Sequence, residues 1–134
     1  MLVKRKVRGR ISRRRKKNKT KVIQTEWGTF DSEDELKRWQ QLLTWEDEGR
    51  ITDLKRGEPM ELQPGFRDAH GKKWRAWTYT PDFTYVQNGI TIVEDFKGMR
   101  PNEWSIKERR IRYKYPDMHF FVNESITGEY EPPA

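Results

Sequence analysis

Residues 73–85 and 90–96 are two runs rich in aromatic and β-branched side chains, and only Val86-Gln87-Asn88-Gly89 separates them. Asparagine followed by glycine tolerates the positive φ angles of a tight turn, so the two runs are expected to fold back on each other as antiparallel strands. One strand then carries Thr80-Pro81-Asp82-Phe83, and the other ends in Asp95-Phe96-Lys97-Gly98, with Asp95 thirteen positions after Asp82. Because strand side chains alternate between faces, Asp95 and Lys97 share one face, about 6–7 Å apart along the strand, while Phe96 points the other way. The hairpin brings Asp82 toward the same region, with the cross-strand register left open.

Two carboxylates and an amine gathered by one hairpin are what a metal-dependent phosphodiester hydrolase needs. Mg²⁺ takes hard oxygen ligands and keeps several waters, so Asp82, Asp95 and the Phe96 main-chain carbonyl form a candidate set for one ion against a phosphate. Lys97 would orient or help deprotonate an attacking water, or stabilise charge gathering on the phosphate, and residue types leave these roles open. Glu94 points to the opposite face and is expected behind the site or on the surface. The competing reading makes Pro81-Asp82 a turn element and Asp95 with Lys97 a solvated ion pair worth under ~1 kcal/mol. Glu35 is the candidate fourth member, since positions 35, 39 and 42 share a helical face and set a carboxylate beside an apolar stripe. Ser32-Glu33-Asp34-Glu35 is equally a capping-box pattern, in which Glu35 only returns a hydrogen bond to the Ser32 backbone.

Charge is divided unevenly along the chain. Residues 1–22 hold twelve Lys or Arg and no acid, so residues 23–134 carry sixteen basic against twenty-one acidic side chains. With little apolar surface to bury, the basic segment is expected to be a disordered tail that neutralises phosphates, chiefly through Arg13, Arg14, Arg15, Lys16 and Lys17. A solubilising or localisation tail is the other reading. Absence of cysteine removes disulfides and Cys-ligated zinc, fits a reducing compartment, and leaves His70 and His119 isolated in sequence. No apolar run approaches ~20 residues and no hydrophobic leader follows the basic start, so a soluble cytoplasmic protein without membrane spans or a small-molecule cofactor is expected.

At 134 residues one compact domain is expected after the tail, with boundaries at 1–22 and 23–134. Residues 21–27 alternate and lead into the fold. Residues 31–49 form a first helix, capped by Asp31 or Ser32, acidic in its first turn and stopped by Gly49. Residues 51–54 are a short strand or turn, 58–67 a strand held partly to an edge by Pro64, and 68–71 a hairpin loop. With 73–85 and 90–96 they make an antiparallel meander of about three strands. Pro101 opens a second helix over 102–115, whose Lys107, Arg109, Arg110, Arg112 and Lys114 are candidate phosphate contacts, or else an ordinary solvated face. Residues 119–123 close the fold as a buried strand. The aromatic residues Trp74, Trp77, Tyr79, Phe83 and Tyr85 could stack bases, although their alternation on strands favours packing. The order of elements gives an α/β (α+β) class with a mixed sheet.

Pro81-Asp82, Asp95-Phe96-Lys97 and the helical Glu35 resemble the PD-(D/E)XK nuclease superfamily. Within it, Tyr79-Thr80-Pro81-Asp82-Phe83, Asn88-Gly89-Ile90 and Lys97-Gly98 are similar to the phage-type endonuclease I group of Holliday-junction resolvases. Phe30-Asp31-Ser32 through Glu35, Glu61-Leu62-Gln63-Pro64 and residues 93–98 are also similar to small phage and prophage proteins. The likeness covers roughly residues 27–123. It implies a single restriction-endonuclease-like domain, a central mixed sheet flanked by helices, and a Mg²⁺- or Mn²⁺-dependent endonuclease with Glu35, Asp82, Asp95 and Lys97 as its active site. It further implies branched DNA as substrate, a homodimer, and phage or prophage origin in a bacterial host. A twofold dimer would supply the two symmetry-related cuts that a four-way junction requires. Asp95 departs from the Glu frequent in the endonuclease I group, and the segment between first helix and hairpin differs in length. A non-catalytic basic nucleic-acid-binding protein, or a nuclease for linear duplexes, flaps or RNA, are the alternatives.

Overall fold

The computed structural model describes residues 22–96 and 101–133. The proposed tail cations Arg13, Arg14, Arg15, Lys16 and Lys17, and the site residue Lys97, lie outside the described residues. The chain forms two compact units, with the boundary inside the first helix between Leu36 and Lys37. In the N-terminal unit, strands β1 (Ile23–Thr25) and β2 (Gly28–Phe30) pair as an antiparallel hairpin.

Helix α1 spans Glu33–Asp47, two residues shorter at each end than the expected 31–49. Ser32 is its cap: Ser32 Oγ accepts the Glu35 N–H at 3.1 Å, which satisfies one of the amides a helix start leaves unpaired. Gly49, at φ 80°, ends it. The Gly49 N–H donates to the Glu46 carbonyl and the Arg50 N–H to the Trp45 carbonyl at 2.8 Å, the paired bonds of a Schellman stop. The Arg50 guanidinium lies 4.2 Å from the centre of the Trp45 ring, covering the last turn.

The C-terminal unit is built on a four-stranded sheet ordered β10-β9-β8-β3. Its strands are β3 (Thr52–Arg56), β8 (Phe83–Gln87), β9 (Ile90–Phe96) and β10 (Met118–Asn123). β3 and β8 are antiparallel, as are β8 and β9, whereas β10 runs parallel to β9. The sheet is therefore mixed, as expected. Asn88 at φ 53° and Gly89 at φ 78° form the turn between β8 and β9, and Gln87 pairs with Ile90 across it. Trp39, Leu42 and Trp45 of α1 are buried, and the Trp39 ring stacks on Phe83 with centroids 5.9 Å apart. Helix α2 (Pro101–Lys114) packs through Trp104, whose ring lies 5.8 Å from Phe120. Register places Phe120 beside Val93 and Phe121 beside Glu94, so the two helices cover opposite sheet faces.

The expected meander is not what forms. Residues 73–85 break into β6 (Lys73–Trp74), β7 (Trp77–Tyr79) and β8, because Pro81 has no N–H to give to a ladder and the chain turns there from one sheet into another. β7 pairs with β4 (Met60–Gln63), and β6 with β5 (Phe66–Arg67). The result is an antiparallel arm inserted between the neighbouring strands β3 and β8. Pro64 interrupts its first side, as its lack of a donor requires. The last strand also differs from expectation: β10 is an edge strand, mostly half-buried, with Val122 exposed.

Candidate metal site at the neck of the arm

Asp82 stands where the arm rejoins the sheet. Its main-chain carbonyl accepts the Gly57 N–H at 3.1 Å, which ties together the two ends of the insertion. Its Oδ2 accepts the Phe96 N–H at 2.8 Å. One residue thus touches the end of β3, the start of β8 and the end of β9. The paired register of the hairpin ends at Phe83 with Glu94. Asp82 lies in a bend just before Phe83 and Asp95 follows Glu94 on β9, and the Phe96 N–H holds the Asp82 carboxylate one residue along from Asp95. Both are half-buried.

Asp95 faces α2. It shares a cleft with Tyr79, Val93, Trp104, Phe120 and Val122, whose volume of about 10 Å³ is room for about one water. Glu35 is half-buried in the first turn of α1, within the N-terminal unit, and its N–H is held by Ser32 Oγ. Half of the capping-box reading of that segment is thus present. Among the described residues no three Asp, Glu or His side chains form a group able to hold a metal ion.

The sequence model of one protein family matches residues 14–127 of this chain. The chain belongs to that family, described as Protein of unknown function (DUF1064). Comparison with curated proteins and with solved structures gives no match.

Behind the acids, this DUF1064 chain holds a buried network that the sequence reading missed. Glu94 was expected behind the site or on the surface, and it is fully buried. Arg38 Nε and Nη2 donate to its two carboxylate oxygens at 2.7 Å each. The Tyr85 hydroxyl donates to Oε1 at 2.8 Å and Asn123 Nδ2 to Oε2 at 3.0 Å. Arg38 also gives Nη1 to the Ile126 carbonyl. Both carboxylate oxygens and all three guanidinium nitrogens of the pair have partners, which is the condition for a buried charge pair to be tolerated at all. Burial, then the negative charge of Glu94, pushes the Tyr85 phenol far above its ordinary value. A signal did exist: Arg38, Leu42 and Trp45 have helical spacing, so an arginine sits within the apolar stripe. These groups lock β8, β9 and α1 together one residue away from Asp95.

Several cations of α2, candidate phosphate contacts, make bonds within the chain. Lys107 Nζ donates to the Thr78 carbonyl at 3.0 Å and Arg110 Nε to the Leu62 carbonyl at 2.8 Å. Lys114 pairs with Glu61, whose carbonyl also accepts the Tyr115 hydroxyl at 2.8 Å. Arg112 pairs with Glu108 one turn away. Of the five candidates only Arg109 is left as an exposed cation without one of these bonds. The helix therefore fastens both strands at the base of the arm.

Proposed function

We propose that the chain is a divalent-metal-dependent endodeoxyribonuclease of restriction-endonuclease-like fold that hydrolyses phosphodiester bonds in branched DNA. What supports this reading most is the bond from the Phe96 N–H to the Asp82 carboxylate, which holds that acid beside the end of β9, one residue along from Asp95. Mg²⁺ is commonly held by one or two carboxylates together with substrate phosphate oxygens. Asp82, Asp95 and the Phe96 carbonyl suit that demand, since all are hard oxygen donors. A bound Mg²⁺ or Mn²⁺ would supply charge to polarise the phosphate and to acidify a water.

The remaining roles fall to the chain itself. Asp82 is held in position from the main chain of β9, so little ordering is left to be done on binding. Lys97 offsets the negative charge of the acids and orients the attacking water or stabilises charge on the phosphate. Glu35 is the fourth acid of the proposal on the strength of the resemblance to PD-(D/E)XK nucleases. The homodimer, the four-way junction and the setting, a phage or prophage protein in the bacterial cytoplasm, rest on the same likeness. No helix among the described residues is long and apolar enough to cross a membrane.

A second reading is a non-catalytic nucleic-acid-binding protein. The twelve Lys or Arg of residues 1–22, with no acid among them, favour it. The deciding experiment incubates the purified chain with a synthetic four-way junction and Mg²⁺ or Mn²⁺, with Asp95→Ala as control. Cutting that Asp95→Ala abolishes while binding survives supports the nuclease. Binding without cutting under either ion overturns it.

A further inference from the structure

The tip of the arm is built unlike the rest of the molecule. Every residue from 63 to 76 is exposed except the half-buried Asp68. Phe66 and Trp74 are cross-strand partners on this ribbon, and their rings lie nearly parallel, at 11° with centroids 6.2 Å apart. The pair supports the hairpin, as aromatic cross-strand pairs do. Yet the two side chains keep 46% and 44% of their surface in water, so the support is bought with a standing apolar exposure.

The Trp74 ring is anchored at its nitrogen. Trp74 Nε1 donates to Asp68 Oδ2 at 2.9 Å, while Asp68 Oδ1 accepts the N–H groups of His70 and Lys72. The bond from Trp74, followed by those two main-chain bonds and against the pull of desolvation, holds the Asp68 carboxyl below its ordinary value. Lys72 Nζ stands 4.3 Å from the centre of the Trp74 ring. Further down, Arg110, Lys107 and Tyr115 clamp both sides of the base. An aromatic platform fixed at its indole nitrogen and braced at its root loses little freedom when something stacks on it.

Charge selects the ligand. Arg67, Lys72, Lys73 and Arg75 against Asp68 give residues 63–76 a net charge of +3, while residues 23–134 as a whole are at −5. The arm is a cationic projection from an acidic body. A second copy of the arm would meet like charge, and an apolar peptide would leave the cations unused. Lys72 stands at the Trp74 ring, and Arg67 and Lys73, paired with each other, carry charge on the other face of the ribbon. Exposed rings on a cationic ribbon match a nucleic acid strand, whose bases present π-faces and whose phosphates take the charge. Paired bases inside a duplex offer no free face.

We propose that the arm is a binding element for unpaired nucleotides, in which Phe66 and Trp74 stack a base while Arg67, Lys72, Lys73 and Arg75 hold the flanking phosphates. The arm rejoins the sheet at Asp82, so its root carries one of the candidate acids. The proposal shares only its ligand class with the nuclease reading and holds whether or not the chain cuts.

The test measures fluorescence anisotropy of the full chain in EDTA, which suppresses cutting, with labelled oligothymidylate of about 15 nucleotides and a blunt duplex of the same length. Attraction by the basic N-terminal segment is common to wild type and variants and cancels in the comparison. The double variant Phe66→Ala/Trp74→Ala should bind oligothymidylate about tenfold more weakly and keep its affinity for duplex. Trp74→Phe, which retains a stacking ring, should recover most of the loss and guards against misfolding, as does an unchanged thermal midpoint. Photocrosslinking of 5-iododeoxyuridine to wild type should label residues 63–76. Equal weakening on both DNAs, an undiminished affinity for oligothymidylate, or crosslinks confined to other segments would overturn the proposal. So would loss of self-association as the sole effect of the double variant.

Discussion

The Oδ2 of Asp82 accepts the main-chain N–H of Phe96 at 2.8 Å, so a candidate metal ligand is also a structural bond between the two strands of the hairpin. Removing the charge and removing the acceptor are therefore separable changes. Asp82→Asn keeps an oxygen for the Phe96 N–H and should cost under about 1 kcal/mol, whereas Asp82→Ala leaves that N–H unpaired and should cost about 1–2 kcal/mol. Urea unfolding reads the difference. Both variants should lose Mn²⁺ uptake in calorimetry with DNA present, and uptake by either one would remove Asp82 from the ligand set.

Glu94 is bonded by Arg38, Tyr85 and Asn123 with no exposure to water. Glu94→Ala should cost about 3–5 kcal/mol, because it strands a buried guanidinium. The double change Arg38→Met/Glu94→Leu removes both charges and should be less damaging than either charge deletion alone. Denaturant midpoints of the single and double variants check this, and strictly additive losses would contradict it.

Alkaline pH provides a second reading of the same network. The Tyr85 phenol has its folded pKa raised well above the ordinary 10.0, first by burial and then by Glu94. A raised pKa contributes stability that is complete below the unfolded value and declines as pH rises past it, since only the unfolded chain can then release the proton. Stability should fall from about pH 10 upward, and Tyr85→Phe should flatten that fall while lowering stability at neutral pH. Thermal midpoints collected between neutrality and strong alkali would show the changed slope.

At the turn, Gly89 has φ 78°, a conformation that costs an L-residue about 1–2 kcal/mol. Gly89→Ala should destabilise by roughly that amount in urea unfolding. Gly89→Asn should cost less, because asparagine tolerates the left-handed region.

What could be read from the sequence was local. The Asn88-Gly89 turn, the Ser32 cap, the Gly49 stop and the Pro101 start each depend on the backbone needs of a few neighbouring residues, and each appears. Choice of strand partner is a long-range matter, and there the reading failed. Residues 60–79 form their own ribbon instead of joining the sheet, because Pro81 breaks the ladder before β8. The same limit hid the α2 cations, whose partners are arm carbonyls far away in sequence. Glu94 resembled any polar strand residue until Arg38 was seen across from it. The approach of Asp82 to the end of β9 lies between these cases: the turn made it expected, and the Phe96 N–H bond to its carboxylate gives it a geometry.

The wiring around Glu94 also governs how the C-terminal unit comes together. Its donors come from positions 38, 85 and 123, and Arg38 reaches on to the carbonyl of Ile126. A chain that has made α1 and the hairpin can already pair Arg38 with Glu94, and docking of the parallel edge strand adds the Asn123 and Ile126 bonds that complete the network. Detaching β10, although it lies at the rim, would therefore strip two bonds from a buried charge pair in the middle of the unit.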